Sequence, residues 1–120
     1  MEQNSEPGFI SHIFEDTLLD VPVTFLLLKM KECLFIWVGD QGNFDSLAVA
    51  MNTPYSNIPI CSSVMGYFAD DDSCSLALKL SKRTNKQIFA SYNLATNNNK
   101  LNILVHDRII KELTEHPEKF

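Results

Sequence analysis

Residues 70–94 read DDDSCSLALKLSKRTNKQIFASYNL, and the spacing of their apolar residues changes once, midway. Leu76, Ala77 and Leu80 recur at helical steps behind Asp72 and Ser73, whose carboxylate and hydroxyl suit the unpaired N–H groups and partial positive charge of a helix N-terminus. Lys82 and Arg83 complement the opposite end, so a helix is predicted over about 72–83. Ile88 to Leu94 then reads as a strand. Helix and strand sit back to back, so sheet and helices share one core.

Working outward, Phe9 to Leu19 sets Phe9, Ile13 and Leu19 among Ser11, His12, Glu15 and Asp16, as a strand with one wet face would. Val23 to Met30 and Cys33 to Val38 are apolar on both parities and are parted by Lys31-Glu32. They predict a hairpin buried on both faces, with Trp37 in the core between Ile36 and Val38, the alternative being Trp37 as an interface anchor. Gly39 to Asn43 has turn chemistry and leads to a fourth, antiparallel strand at Leu47 to Met51. Pro54, Asn57 and Pro59 predict a loop over 52–59 before a short strand at Ile60 to Val64, because proline cannot donate to a central ladder.

Downstream of the opening stretch, Asn97-Asn98-Asn99 is a turn or N-cap cluster. Leu101, Leu104, Val105, Ile109 and Leu113 follow at steps of three and four, so a second helix is predicted over about 99–115, ended by Pro117. The order is four or five strands, helix, strand, helix. The class is α+β, an antiparallel sheet with two principal helices covering one face.

At 120 residues the chain suits a single domain, assigned here to residues 9–120, which should bury about 65% of the surface its unfolded form exposes. Residues 1–8 are polar and acidic, lack the basic start and apolar run of a signal peptide, and are expected to be a flexible segment. The formal charge of −5 opposes a nucleic-acid backbone, and no apolar run reaches membrane length. Cys33, Cys61 and Cys74 form no Cys-x-x-Cys pair and are expected to be reduced, packed thiols of a cytosolic protein.

No constellation supports chemistry strongly. Asp70-Asp71-Asp72 offers hard oxygen ligands, but three consecutive carboxylates point in different directions and helix-dipole complementarity already accounts for them. His12, His106 and His116 are scattered and are expected at the surface, so no metal or cofactor site is assigned. A nucleophile at Cys61, Ser62 or Ser63 would need a base and a strained glycine turn, and neither a Gly-x-Ser-x-Gly nor a phosphate-cradling motif is present, so no catalytic residue is assigned. The cations Lys82, Arg83 and Lys86 lack the interleaved exposed aromatics of an RNA platform. What stands out is apolar excess: two doubly apolar strands with only two helices to cover them, which calls for a permanent partner.

Leu34-Phe35-Ile36-Trp37-Val38-Gly39, Leu47-Ala48-Val49-Ala50-Met51, Thr84 to Leu94 and the ending Pro117-Glu118-Lys119-Phe120 closely resemble the proteasome assembly chaperone 4 family, in order and with similar spacing over about residues 9–120. The resemblance implies a six-stranded antiparallel sheet with helices and no enzymatic activity. It further implies a heterodimer with assembly chaperone 3, a structural relative, that holds alpha-type subunits while the alpha ring of the proteasome core particle is built. Beside the resemblance, a cytoplasmic and also nuclear location is expected, and a homodimer of the isolated chain is one way to cover its apolar strands. Lys82, Arg83, Lys86 and Tyr92 are the expected partner-binding residues. Insertion of a hydrophobic-Tyr-x tail into a subunit pocket, known among other assembly chaperones, is not implied, because this chain reads Glu118-Lys119-Phe120. The rival reading is a small regulatory subunit of a trafficking or GTPase-regulating complex.

Overall fold

The computed structural model describes residues 10–53, 56–65, 72–94 and 98–120. Its strands are β1 (Ile10–Leu18), β2 (Val21–Lys29), β3 (Cys33–Gly39), β4 (Leu47–Thr53), β5 (Ser56–Met65) and β6 (Gln87–Asn93). The helices are α1 (Asp72–Thr84) and α2 (Asn99–Glu115), and a 3-10 turn covers Pro117–Lys119. Residues 1–9, and with them Phe9 of the expected first strand, the acids Asp70 and Asp71, and Asn97 lie outside the described residues.

One six-stranded sheet runs in the order β1-β2-β3-β6-β4-β5. β1, β2 and β3 form an antiparallel meander, and β4 pairs antiparallel with both β5 and β6. The expectation of a wholly antiparallel sheet is corrected at one ladder, since β6 runs parallel to β3 from Cys33↔Gln87 to Gly39↔Asn93. Parallel neighbours need a long crossover, and the segment carrying β4, β5 and α1 supplies it.

The loop expected over 52–59 is also corrected. β4 continues to Thr53 and β5 begins at Ser56, with Pro59 inside it. Among the described strands β5 is an edge strand paired with β4 alone, which is where proline is tolerated.

Both helices lie on one face of the sheet, where strand alternation delivers the buried set. Val23, Phe25 and Leu27 of β2, Leu34, Ile36 and Val38 of β3, and Ile88, Ala90 and Tyr92 of β6 meet Leu76, Ala77 and Leu80 of α1 and Leu101, Val105 and Ile109 of α2 in one cluster. Phe14 and Phe25 stack within it, ring centroids 4.5 Å apart. The side chain of Asn98 caps α2 by accepting from Lys100 N. Beyond the 3-10 turn Phe120 is only 2% exposed and packs into the same core, so the chain's last aromatic is occupied internally.

The cysteines depart from expectation. Cys61 on β5 and Cys74 in the first turn of α1 form a disulfide with Cα atoms 6.0 Å apart, and Cys33 remains a half-buried free thiol. α1 packs across β4, β5 and β6, which brings the two positions together although 13 residues separate them in sequence.

Candidate partner-binding face

In a strand buried on one side, every second residue points away from the core. Here many of those residues near the middle of the sheet are also apolar. Across the face opposite the helices the register aligns Leu28, Phe35, Phe89 and Val49 in one row spanning four strands. A neighbouring row aligns Ile13, Leu26 and Trp37. At the β5 end Met51 sits beside Ile60, with Val64 further along. Ile13 is 63% exposed, Ile60 58% and Val64 60%. None of these residues belongs to the core cluster, and no described helix crosses them. A contiguous apolar sheet face of this kind marks an interaction surface.

Trp37 belongs to this face, which corrects its assignment to the core. Ile36 and Val38 turn towards the helices, so the alternation sends Trp37 the other way, where it is half-buried. Its Nε1 donates to the Asn43 carbonyl at 3.0 Å, and its ring lies over Gly39, where an added Cβ would meet Trp37 Cη2 at 2.5 Å. Glycine is therefore needed at 39 for close approach. Phe44 extends the surface by stacking on Phe35, centroids 6.3 Å apart.

Polar residues brace one end of the face. Asn93 is 5% exposed, and its Oδ1 accepts from Asp45 N and Ser46 N while its Nδ2 donates to Ser91 Oγ. Ser91 Oγ donates to the Ser46 carbonyl, and Ser73 Oγ of α1 accepts from Tyr92 N. The loop between β3 and β4 is thereby stitched to β6 and to the start of α1. In Ser91-Tyr92-Asn93, the end of the stretch most specific to the family resemblance, all three residues are buried.

The four partner-binding residues expected from sequence divide. Lys82 and Arg83 are exposed in the last turn of α1, on the helix layer. Lys86 is half-buried, and its ammonium donates to the Phe120 carbonyl; burial, then the charge of Lys29, push its pKa below the ordinary 10.5. Tyr92 is 5% exposed and its hydroxyl bonds Asn102 Oδ1, so its ring belongs to the core and is not displayed to a partner. The strand's inward parity, shared with Ile88 and Ala90, is the reason.

The histidines are likewise less peripheral than expected. His12 Nε2 lies 2.7 Å from Glu112 Oε2, and Arg108 Nη1 donates to Glu112 Oε1 at 2.8 Å. Arg108 Nε donates to Asp16 at 2.9 Å, and the guanidinium lies over the Phe14 ring, 4.8 Å from its centroid. This network fastens α2 to β1. His106 is half-buried, and burial followed by the charge of Lys79 holds its pKa below 6.5. Only His116 is exposed, as expected. Glu112, Glu115 and His116 offer donor atoms within 4.8 Å of one another, but His12 and Arg108 already engage both Glu112 oxygens, and the guanidinium charge opposes a cation there.

Burial pushes the Glu112 carboxyl up, yet hydrogen bonds from His12 and Arg108, with the charge of Arg108 and His116, outweigh it and hold the pKa below 4.5. The unfolded chain therefore takes up this proton first as pH falls. The stabilisation is fully present above 4.5 and is lost on descending through the lower folded value. Glu112→Gln should cost about 1–3 kcal/mol at neutral pH, the usual range for a hydrogen-bonded charged group. The gap between variant and wild type should close below pH 4.5, which melting curves from pH 7 to 3 would show.

These features define a class: an α+β module with one helix-covered sheet face and one apolar face that no described helix covers. Comparison with known proteins narrows it. The model of the proteasome assembly chaperone 4 family matches residues 22–94. Proteasome assembly chaperone 4 of Mus musculus and that of Homo sapiens are each 39% identical over 109 residues, covering 91% of this chain and 89% of theirs. A chain from the crystal structure of a chaperone complex for yeast 20S proteasome assembly shares the fold, with a TM-score of 0.63 and 14% identity over 92% of this chain and 94% of that one. This chain belongs to the proteasome assembly chaperone 4 family.

Proposed function

We propose that this chain is a non-enzymatic chaperone that pairs with assembly chaperone 3 and promotes formation of the alpha ring of the proteasome core particle, in the cytoplasm and nucleus. The observation that carries the reading is the bare apolar sheet face, joined to family membership. Such a face is best covered by a second sheet stacked about 10 Å away with its side chains interdigitating, and a structural relative provides one. Family membership favours this over a trafficking subunit. A hydrolase built on Cys61, Ser62 and Ser63 is disfavoured, because Cys61 is held in a disulfide and the two serines are exposed on an edge strand. Light scattering tests the pairing. Mixed with assembly chaperone 3, the chain should run as a heterodimer. A soluble 13.6 kDa monomer, unchanged by that partner at high concentration, would sink the reading.

Capture of the alpha-type client is assigned to the helix layer, where exposed Lys82 and Arg83 form a basic spot on an acidic chain. Rim charges mainly raise association rates, and they lose effect as salt rises. Reversing both to Glu should leave stability within about 0.5 kcal/mol while slowing capture of an alpha subunit at low ionic strength. Equal association rates for variant and wild type at two salt concentrations would leave these cations with only the end of α1 to serve.

A further inference from the structure

β5 is the least secured strand of the bare face. Among the described strands it pairs with β4 alone, and its register with β4 shifts twice, between Leu47 and Ala48 and between Met51 and Thr53. Pro59 removes one of its backbone donors. Yet β5 presents Ile60 and Val64, two of the most exposed apolar side chains of the face, on the parity opposite Cys61. Cys61 points to the helix side, where its sulfur is bonded to Cys74 of α1. One covalent bond thus ties the back of the strand to the helix layer while the front is left for a partner.

We propose that the Cys61–Cys74 pair is a thiol-exchangeable lock on β5 that sets how firmly this end of the apolar face is held for the partner sheet. The inference rests on the pairing reading above. In a reducing compartment a disulfide is a transient, switchable state rather than a permanent staple. A small dithiol opens it: one thiolate attacks either sulfur, forming a mixed disulfide and releasing the other cysteine as a thiolate that takes up a proton. The second thiol of the reagent then displaces the remaining cysteine. Two electrons and two protons pass to the protein, leaving two cysteine thiols and an oxidised, cyclic reagent. Reoxidation by a disulfide of the glutathione class runs the same exchange in reverse. With the lock open, β5 keeps its single irregular ladder and its packing on α1 but loses the tie, so it opens locally more often.

Amide hydrogen exchange on the full chain, with and without dithiothreitol, tests the lock, and affinity for assembly chaperone 3 is measured in the same two states. Reduction should speed exchange of β5 amides about tenfold, leave β2 and β3 unchanged, and weaken pairing by a similar factor, as expected when one local element is untied. The double variant Cys61→Ser/Cys74→Ser should match reduced wild type in both states and should not respond to the reagent. Equal β5 exchange in the two wild-type states overturns the lock, as does titration of three free thiols in protein never exposed to reductant. Faster β5 exchange with unchanged affinity overturns its link to pairing. Failure to bind the partner in either state overturns the pairing reading instead, and the exchange comparison still decides the lock.

Discussion

Phe35→Asp is expected to abolish pairing with assembly chaperone 3 while leaving a folded chain. Phe35 is half-buried near the middle of the row that runs from Leu28 through Phe89 to Val49, and it carries the stacked ring of Phe44. A carboxylate there would be desolvated without a counter-charge once a second sheet closed over it. Aromatic residues at the centre of an interface are where truncation costs most, commonly 2–4 kcal/mol, or roughly 30- to 1000-fold in affinity. In the unpaired chain the same side chain faces away from the core cluster, so the melting temperature should move little. Size-exclusion chromatography of the mixed proteins, with circular dichroism of the variant alone, separates the outcomes. A heterodimer of wild-type affinity would show that pairing uses another surface.

The opposite face should respond in the opposite sense. Phe25→Ala is expected to destabilise the chain by about 3–5 kcal/mol, the cost of removing a fully buried aromatic ring. Phe25 has no exposed surface and stacks nearly parallel on Phe14, which in turn lies beneath the Arg108 guanidinium. The cavity would therefore undermine the network that fastens α2 to β1 as well as the core. Chemical denaturation measures the loss. Ile13→Ala, in the same strand pair but 63% exposed, should change stability by no more than about 0.5 kcal/mol. Similar losses at both positions would contradict the division into a packed face and a bare one.

The two helices were legible almost to the residue, because apolar steps of three and four run through both, joined by end charges over 72–84 and by the Asn98 cap ahead of 99–115. The apolar excess of β2 and β3 was legible too. Its placement was not. When both parities of a strand are apolar, as in β3, alternation no longer tells which one meets the helices, and Trp37 was assigned to the wrong side; Tyr92, expected to be available to a partner, lies on the inward parity of β6. The parallel β3–β6 pairing left no local mark, since Ile88 to Asn93 would sit equally well beside any central strand. Pro59 read as a loop residue because edge position is a property of the finished sheet. The disulfide depends on α1 crossing β5, and a separation of 13 residues carries no trace of that. The network of His12, Asp16, Arg108 and Glu112 escaped for the same reason. Its members lie up to 100 residues apart, and only the Arg108–Glu112 step of four along α2 hinted at it.

The position of β6 between β3 and β4 has a consequence for synthesis on the ribosome. The meander β1-β2-β3 and the hairpin β4-β5 are complete in local pairings well before residues 87–93 emerge, yet β6 is the strand that joins them. At roughly 5–20 residues per second, a nascent chain that had paired only these strands would wait seconds for β6, with the inner edges of both half-sheets unpaired. Wrong edge-to-edge association is the hazard of that interval. Protection of the half-sheets falls to whatever meets the chain as it leaves the exit tunnel, and a partner sheet arriving then would find its docking face assembled only in part.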